Sequence, residues 1–241
     1  MNYNEPTIIE ALCEFRFAQS DNWDSTIYGA FWNQIQSEYP NKEERKQISL
    51  GIKIGPDGQQ GQSVVNENAH MLFKSDNGKS LVQLQPNLLT VNVLEPYQGW
   101  GMFKPKISAA YEEFGNVGSF SLERVGLRYV NRMPELDSGL DYSHWLSKSP
   151  YVSEVVLNHL NGVHSMVSVP IDENRLSVTV ATESPQGGAL FVDIDSSRES
   201  VSEYGAHEIG ELLDVLHYNL IEAYETLATN ELRKVMGVKD V

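Results

Sequence analysis

The stretch Glu10-Ala11-Leu12-Cys13-Glu14-Phe15-Arg16-Phe17 alternates between two kinds of side chain. Successive side chains of an extended strand point to opposite faces, so the residues of this stretch divide into two sets. One set is apolar and comprises Ala11, Cys13, Phe15 and Phe17. The other set carries the charges of Glu10, Glu14 and Arg16. The pattern predicts a strand with one buried face and one solvated face, which is typical of an antiparallel sheet covered on one side.

The elements expected after this strand indicate the fold class. Apolar residues recur every four positions, at Ile27, Phe31, Ile35 and Tyr39, and predict a helix that Pro40 ends. Glycine-rich and Asn-Gly turns then divide 47–95 into antiparallel strands, and a helix over 102–114 follows. Beyond a connector at 115–118, we expect a strand at 120–133, a short helix at 142–146, strands at 165–170, 176–182 and 189–194, and a long helix over 202–236.

Both runs of elements have the order strand, helix, antiparallel strands, helix. We therefore predict an α+β protein of two similar halves, 1–117 and 118–241, that form one compact unit. Each half is expected to be a curved antiparallel sheet packed on helices, with the opening strands of the two halves paired at the centre. The prediction of a duplication rests on element order alone, because the two opening strands share no convincing identity.

The composition excludes some classes of function. The 241 residues include 18 Lys and Arg against 33 Asp and Glu, for a formal net charge of −15. Sequence-independent binding of nucleic acid needs clustered cations, so we do not expect it here. Cys13 is the single cysteine, no apolar run approaches 18 residues, and the N-terminus lacks the pattern of a signal peptide. We expect a cytoplasmic protein without disulfides or membrane spans.

Three arginines, Arg124, Arg128 and Arg132, fall on one face of the strand expected at 120–133. At about 3.3 Å per residue, neighbouring guanidinium groups lie roughly 13 Å apart. Guanidinium groups bind phosphate or carboxylate oxygens through two parallel hydrogen bonds. One interpretation is a groove for a small anionic ligand or a protein partner, to which Asn131 adds a neutral donor and acceptor.

The other interpretation pairs these arginines with carboxylates of the same chain. We expect Arg128 to be largely desolvated, because Gly126 lets another backbone or a ligand approach, and to pair with Glu14. Arg132, near the end of the strand, is then the better candidate for ligand contact. If the two opening strands are neighbours, the first supplies the ion-pair candidates Glu10, Glu14 and Arg16.

Asp193 and Asp195 lie two residues apart at the end of a predicted strand, so both carboxylates point to the same side. Such a pair can hold a divalent cation for phosphoryl transfer. The nucleotidyltransferase pattern also needs a helix between a glycine turn and the acidic pair, and Gly188 is too close upstream to leave room for one. Ion pairing with the arginine strand, or capping of the following turn, is the favoured interpretation, and we predict neither a metal nor a cofactor.

Tyr97 and Trp100 flank Gly99 where a strand is expected to lead into a helix. Aromatic side chains on a loop can stack on a base, a sugar or a side chain of a partner. The alternative is a structural role, in which they seat the start of the helix.

Several segments together resemble one family. They include Pro6-Thr7-Ile8-Ile9-Glu10-Ala11, Pro96-Tyr97-Gln98-Gly99-Trp100 and, as the most specific piece, Gly126-Leu127-Arg128-Tyr129-Val130-Asn131-Arg132. The chain resembles a sporadically distributed family of uncharacterised bacterial proteins of similar length. The resemblance implies no reaction and no catalytic residue. It implies an accessory role, such as in a mobile-element, defence or toxin–antitoxin locus.

These observations favour a non-catalytic binding protein for another protein or a small anionic ligand. The alternative is a divalent-metal-dependent enzyme that acts on a phosphate-bearing ligand through Asp193 and Asp195.

Overall fold

Nine strands and five helices make up the described part of the chain, which in this computed structural model comprises residues 3–20, 23–54, 60–135, 142–147, 162–184 and 187–237. The strands are β1 (Ile8–Phe17), β2 (Asn41–Ile54), β3 (Gln60–Lys74), β4 (Ser80–Gln85), β5 (Leu88–Leu94), β6 (Leu122–Arg132), β7 (His164–Ile171), β8 (Asn174–Ser184) and β9 (Gly187–Glu199). The helices are α1 (Thr26–Ile35), α2 (Trp100–Gly115), α3 (Tyr142–Trp145), α4 (Ala206–Leu227) and α5 (Asn230–Met236).

All nine strands join one antiparallel sheet in the order β2-β3-β4-β5-β1-β6-β9-β8-β7. The protein is therefore α+β, as predicted. The two central strands, β1 and β6, are those expected to open the two halves, and Cys13 pairs with Leu127 in their ladder. The division into two similar halves at 117/118 stays a prediction.

One side of the sheet carries the core. Ala11, Cys13 and Phe15 of β1 are fully buried there, which is the face that the alternation predicts. Helices α1, α2 and α4 supply the other half of this core, with Phe31, Ile107 and Leu216 among their buried residues. Removing these side chains from water is the main stabilising contribution to the fold.

A change of register near the start of β6 moves one side chain off the arginine face. Arg16 pairs with Arg124 but Phe17 pairs with Leu122, so Glu123 is an extra residue in the ladder. Such a bulge shifts the alternation by one residue. Leu122 consequently lies buried on the core side, whereas simple alternation from Arg124 would place it beside the arginines.

The prediction of one long C-terminal helix over 202–236 is wrong, because two helices, α4 and α5, occupy this region. Ala228 is extended, with ψ 131°, and interrupts the helical backbone. Thr229 then caps α5, since its hydroxyl accepts a hydrogen bond from the Leu232 amide at 3.3 Å. None of the helices in the described part of the chain is both long and apolar enough to cross a bilayer.

Candidate functional site

The arginines predicted as a site lie on the side of the sheet opposite the core, which we call the open face. The central part of this face is formed by alternate residues of β1, β6 and β9. Among the described residues no helix packs on it, since α1, α2 and α4 contact the other side. The charged residues on the open face of these three strands are Glu10, Glu14, Arg16, Arg124, Arg128, Arg132, Asp193, Asp195 and Glu199.

Arg124 is the hub of this charged surface. Its Nη1 donates to Glu14 Oε1 on β1 at 2.6 Å, and its Nη2 lies 3.4 Å from Asp195 Oδ1 on β9. Its Nε lies 3.3 Å from Glu199 Oε1. The Arg124 side chain is only 18% exposed, so it links the three central strands in a partly desolvated setting.

Gly126 explains why Arg124 can take this position. A Cβ atom on Gly126 would lie 2.8 Å from Nη1 of Arg124, closer than real Cβ atoms approach other atoms. The guanidinium group therefore folds over the bare backbone of Gly126 to reach Glu14. The glycine accommodates a side chain of its own strand and not, as the sequence suggested, the approach that would bury Arg128.

The predicted Arg128–Glu14 pair is wrong. Arg128 contacts Asp193 of β9, with Nε–Oδ1 2.7 Å and Nη2–Oδ2 2.5 Å. Glu14 lies diagonally from both arginines, because it pairs with Gly126, and it contacts Arg124 instead. The Arg128 side chain is 44% exposed and so is not largely desolvated.

The remaining predicted ion-pair residues divide between charged and neutral partners. Arg16 Nε donates to Glu14 Oε1 at 2.5 Å. Glu10 contacts no arginine in the described ion pairs, and its Oε1 accepts a hydrogen bond from Asn92 Nδ2 of β5 at 2.6 Å.

The two aspartates differ in environment. Burial raises the pKa of Asp195, and the nearby Arg124 and Arg128 oppose that shift. Asp193 has both carboxylate oxygens engaged by Arg128. Within the described ranges, no group of three or more His, Cys, Asp or Glu side chains is arranged to hold a metal ion.

Asn131 does not belong to the arginine face. It lies on the core side of β6 and is 2% exposed. Its Nδ2 donates to the Val192 carbonyl at 3.1 Å, and its Oδ1 accepts from the Thr7 hydroxyl at 3.0 Å. Asn131 follows the same alternation as Tyr129, so it ties the N-terminal segment to the core and is removed from the set of ligand contacts.

Arg132 lies at the exposed end of β6, and its Nη2 contacts Glu135 Oε1 at 2.8 Å. Both side chains are well exposed, so this pair is weak and easily rearranged. Of the three arginines, Arg132 has the weakest ties to the rest of the chain.

Trp100 has a structural role at the start of α2. Its ring stacks on His217 of α4 with a centroid distance of 4.4 Å and an interplanar angle of 11°. Its Nε1 donates to Asp214 Oδ1 at 3.0 Å, and Lys104 contacts the other oxygen of the same carboxylate at 2.7 Å. Trp100 therefore fastens α2 to α4, as the alternative interpretation of this loop proposed.

Tyr97 belongs to a chain of partly buried polar groups beside this stack. Its hydroxyl lies 3.1 Å from the Tyr129 hydroxyl, which lies 2.8 Å from His217 Nδ1. Burial raises the pKa of Tyr97 to about 12 and lowers the pKa of His217 to about 4. All three groups are therefore neutral at pH 7, and the histidine accepts or donates as a neutral ring.

Sequence reasoning did not single out Tyr129 or His217. The position of Tyr129 on the apolar side of β6 was visible, but His217 carried no signal beyond its place on an amphipathic helix. The contact joins residues 88 positions apart and depends on how α4 packs on β6.

No protein-family model matches this sequence, and no curated protein matches it closely enough to identify a relative.

Proposed function

We propose that this protein is a non-catalytic binding protein and that its open face receives another protein. The observation that carries the proposal is the exposure of the sheet on that side. Helices cover only the core side in the described part of the chain, so the side chains of three central strands form one continuous surface.

Apolar side chains interrupt the charges on this surface. They lie half-buried between charged neighbours on five adjacent strands, as expected for a protein interface rather than a purely solvated sheet face. The residues concerned are Leu81 of β4, Leu88 and Leu94 of β5, Leu12 of β1, Val130 of β6 and Phe191 of β9.

The charges favour a protein over a nucleic acid. Four arginines and five carboxylates alternate on the central strands of the open face, whereas the whole chain has a formal net charge of −15. A surface of mixed sign does not attract a polyanion, but it orients a partner whose own charges are complementary. Because Arg124 and Arg128 already hold carboxylates, the surface is also preorganised.

The wider role follows from the family resemblance. We propose an accessory function in a bacterial mobile-element, defence or toxin–antitoxin locus, in the cytoplasm, with the partner encoded nearby. We further propose that the two halves, 1–117 and 118–241, derive from a duplication that set β1 beside β6.

The test begins with recovery of a partner by co-purification with the tagged chain, followed by titration of the two pure proteins. We expect Arg128→Gln and Leu12→Ser each to raise the dissociation constant by about tenfold or more. Lys234→Gln is the matched control, because this exposed lysine pairs with Glu231 on α5 and is not among the side chains of the open face. A partner that binds both open-face variants as tightly as the wild type would contradict the proposal.

Sulfate distinguishes a small anion from a protein on the same face. A rise in the thermal midpoint with sulfate that is lost in Arg132→Ala would favour an anionic ligand, since a ligand that binds the native state stabilises it by mass action. We expect no such rise, because the arginines of the open face already contact carboxylates.

The effect of divalent cations on thermal stability distinguishes a metal-dependent enzyme from a binding protein. Occupation of a site at Asp193 and Asp195 would require Arg128 to release Asp193. We expect Mg²⁺ and Mn²⁺ to leave the thermal midpoint unchanged. A stabilisation that disappears when both aspartates are replaced by alanine would instead favour the enzyme.

A further inference from the structure

A cavity of about 310 Å³ opens beside the loop that joins β5 to α2 and borders the open face at Leu94. Val93 and Leu94 at the end of β5 line it, as do Met102 and Phe103 in the first turn of α2. A volume of this size lies at the lower end of the range for small-molecule sites in proteins.

The walls of this cavity are held in place from behind. Tyr97 lines the cavity, and its hydroxyl is fixed by Tyr129 at 3.1 Å. Its ring packs edge to face on Phe103, which is almost completely buried. Gly99 turns the loop into α2 with φ +99°, a conformation that other residues rarely adopt. The cavity is therefore preformed, and a ligand would not need to order it.

Two lysines stand at the cavity. Lys106 is ion-paired with Glu38, and both line the cavity together with Lys79. Lys79 makes no ion pair within the described residues. Two ammonium groups and one carboxylate leave a local positive charge on a protein whose formal net charge is −15. This local excess of positive charge favours an anion over a cation at the cavity.

Part of the remaining lining is apolar and adaptable, beside the polar side chains of Ser75, Asn77, Ser80 and Gln98. Met102 is 56% exposed at the edge of the cavity, and its unbranched thioether can move to fit different shapes. Val93 offers a partly exposed aliphatic side chain, and Gln98 is an exposed amide able to donate or accept. The cavity thus combines an apolar wall with a cationic edge, which suits a molecule with one apolar end and one anionic end.

We propose that this cavity binds a small organic anion. Its carboxylate or phosphate group contacts Lys79 and its apolar body lies against Met102 and Val93. The cavity shares only Leu94 with the residues named on the open face, and the inference does not depend on a protein partner.

The test uses phenyl phosphate and benzoate as probes, titrated into the full chain by isothermal calorimetry. We expect saturable binding of both probes, weakened about tenfold by Lys79→Gln. Val93→Phe fills the cavity and should abolish binding. Lys234→Gln, a change of the same kind on α5, should leave the affinity unchanged. Lys79 is exposed, so its variant is expected to fold normally.

Benzyl alcohol and inorganic phosphate test the apolar and the anionic contact separately. Each should bind at least about tenfold more weakly than phenyl phosphate, because each lacks one of the two contacts. The proposal is overturned if neither anionic probe saturates below about 10 mM. It is equally overturned if binding survives both cavity variants, or if inorganic phosphate binds as tightly as phenyl phosphate.

Discussion

Arg128 and Asp193 share two parallel hydrogen bonds, although a carboxylate on the opposite neighbouring strand, Glu14, lies at the same diagonal offset from this arginine. Glu14 contacts Arg124 instead. The two arginines thus divide the surrounding carboxylates between them, and they do so in different environments, since Arg124 is much less exposed than Arg128.

This difference predicts unequal costs of removing the two side chains. Arg124→Ala removes the cation that the partly buried Glu14 and Asp195 share, leaving Arg16 at Glu14, and we expect the free energy of unfolding to fall by about 3 kcal/mol. Arg128→Ala breaks a half-exposed pair and should cost about 1 kcal/mol. Urea denaturation measures both, with the well-exposed Arg132→Ala as control. Equal losses for Arg124 and Arg128 would contradict the division described here.

Gly126→Ala should act through Arg124. The new methyl group would lie within 2.8 Å of Nη1 and displace a guanidinium that Glu14 and Asp195 hold. We expect a loss of about 1 to 2 kcal/mol in the free energy of unfolding. In an Arg124→Ala background the same substitution should cost almost nothing, so the double-mutant cycle should show a coupling above 0.5 kcal/mol. If the losses of the two single variants simply add, the effect of Gly126→Ala does not act through Arg124.

Cys13 should be inert in the native protein. It is fully buried on the core side of β1, and burial raises the pKa of its thiol, so the reactive thiolate is scarce. We expect an aromatic disulfide reagent to label it only after unfolding, with complete reaction in concentrated urea as the control. Rapid labelling without denaturant would show that β1 opens readily or is packed differently.

The lowered pKa of His217 predicts that the folded chain loses stability in mild acid. Burial lowers its pKa to about 4 in the folded chain, below the value near 6.5 expected when it is unfolded. The folded state therefore favours the neutral ring, and the stability that this group contributes is present above pH 6.5 and is lost as the pH falls toward 4. Asp214 limits the effect because its charge favours the protonated ring.

The matched variant for this effect is His217→Phe, which retains an aromatic ring against Trp100 but cannot titrate. We expect the free energy of unfolding of the wild type to fall more steeply than that of the variant between pH 6.5 and 4. Parallel pH profiles would show that His217 is not the group responsible.

Local patterns predicted the strands better than the contacts between them. The alternation in β1 identified its buried face correctly, because the period of a strand is set by its own backbone. The partner of Arg128 depended on the register of β6 against β9 and on the space above Gly126, and neither is written in the local sequence.

The same limit explains the errors in the second half of the chain. The apolar periodicity of α4 continued far enough to suggest one helix, whereas Thr229 provides a cap that starts a second one. Asn131 was grouped with the arginines because it is close to them in sequence. It lies two residues after Tyr129 in β6, however, so the two side chains share the core side of the strand. The cavity beside Tyr97 could not be predicted, because it forms between segments that meet only in the folded chain.

The central pairing of β1 with β6 governs the order in which the sheet can be completed during synthesis. The Glu14–Arg124 contact joins residues 110 positions apart, so β1 leaves the ribosome long before its inner partner exists. Until then, one edge of β1, whose one face is apolar, is unpaired and available to other chains. A nascent chain or a fragment that ends before β6 would therefore be prone to aggregate, and release of the second half is the event that closes this edge.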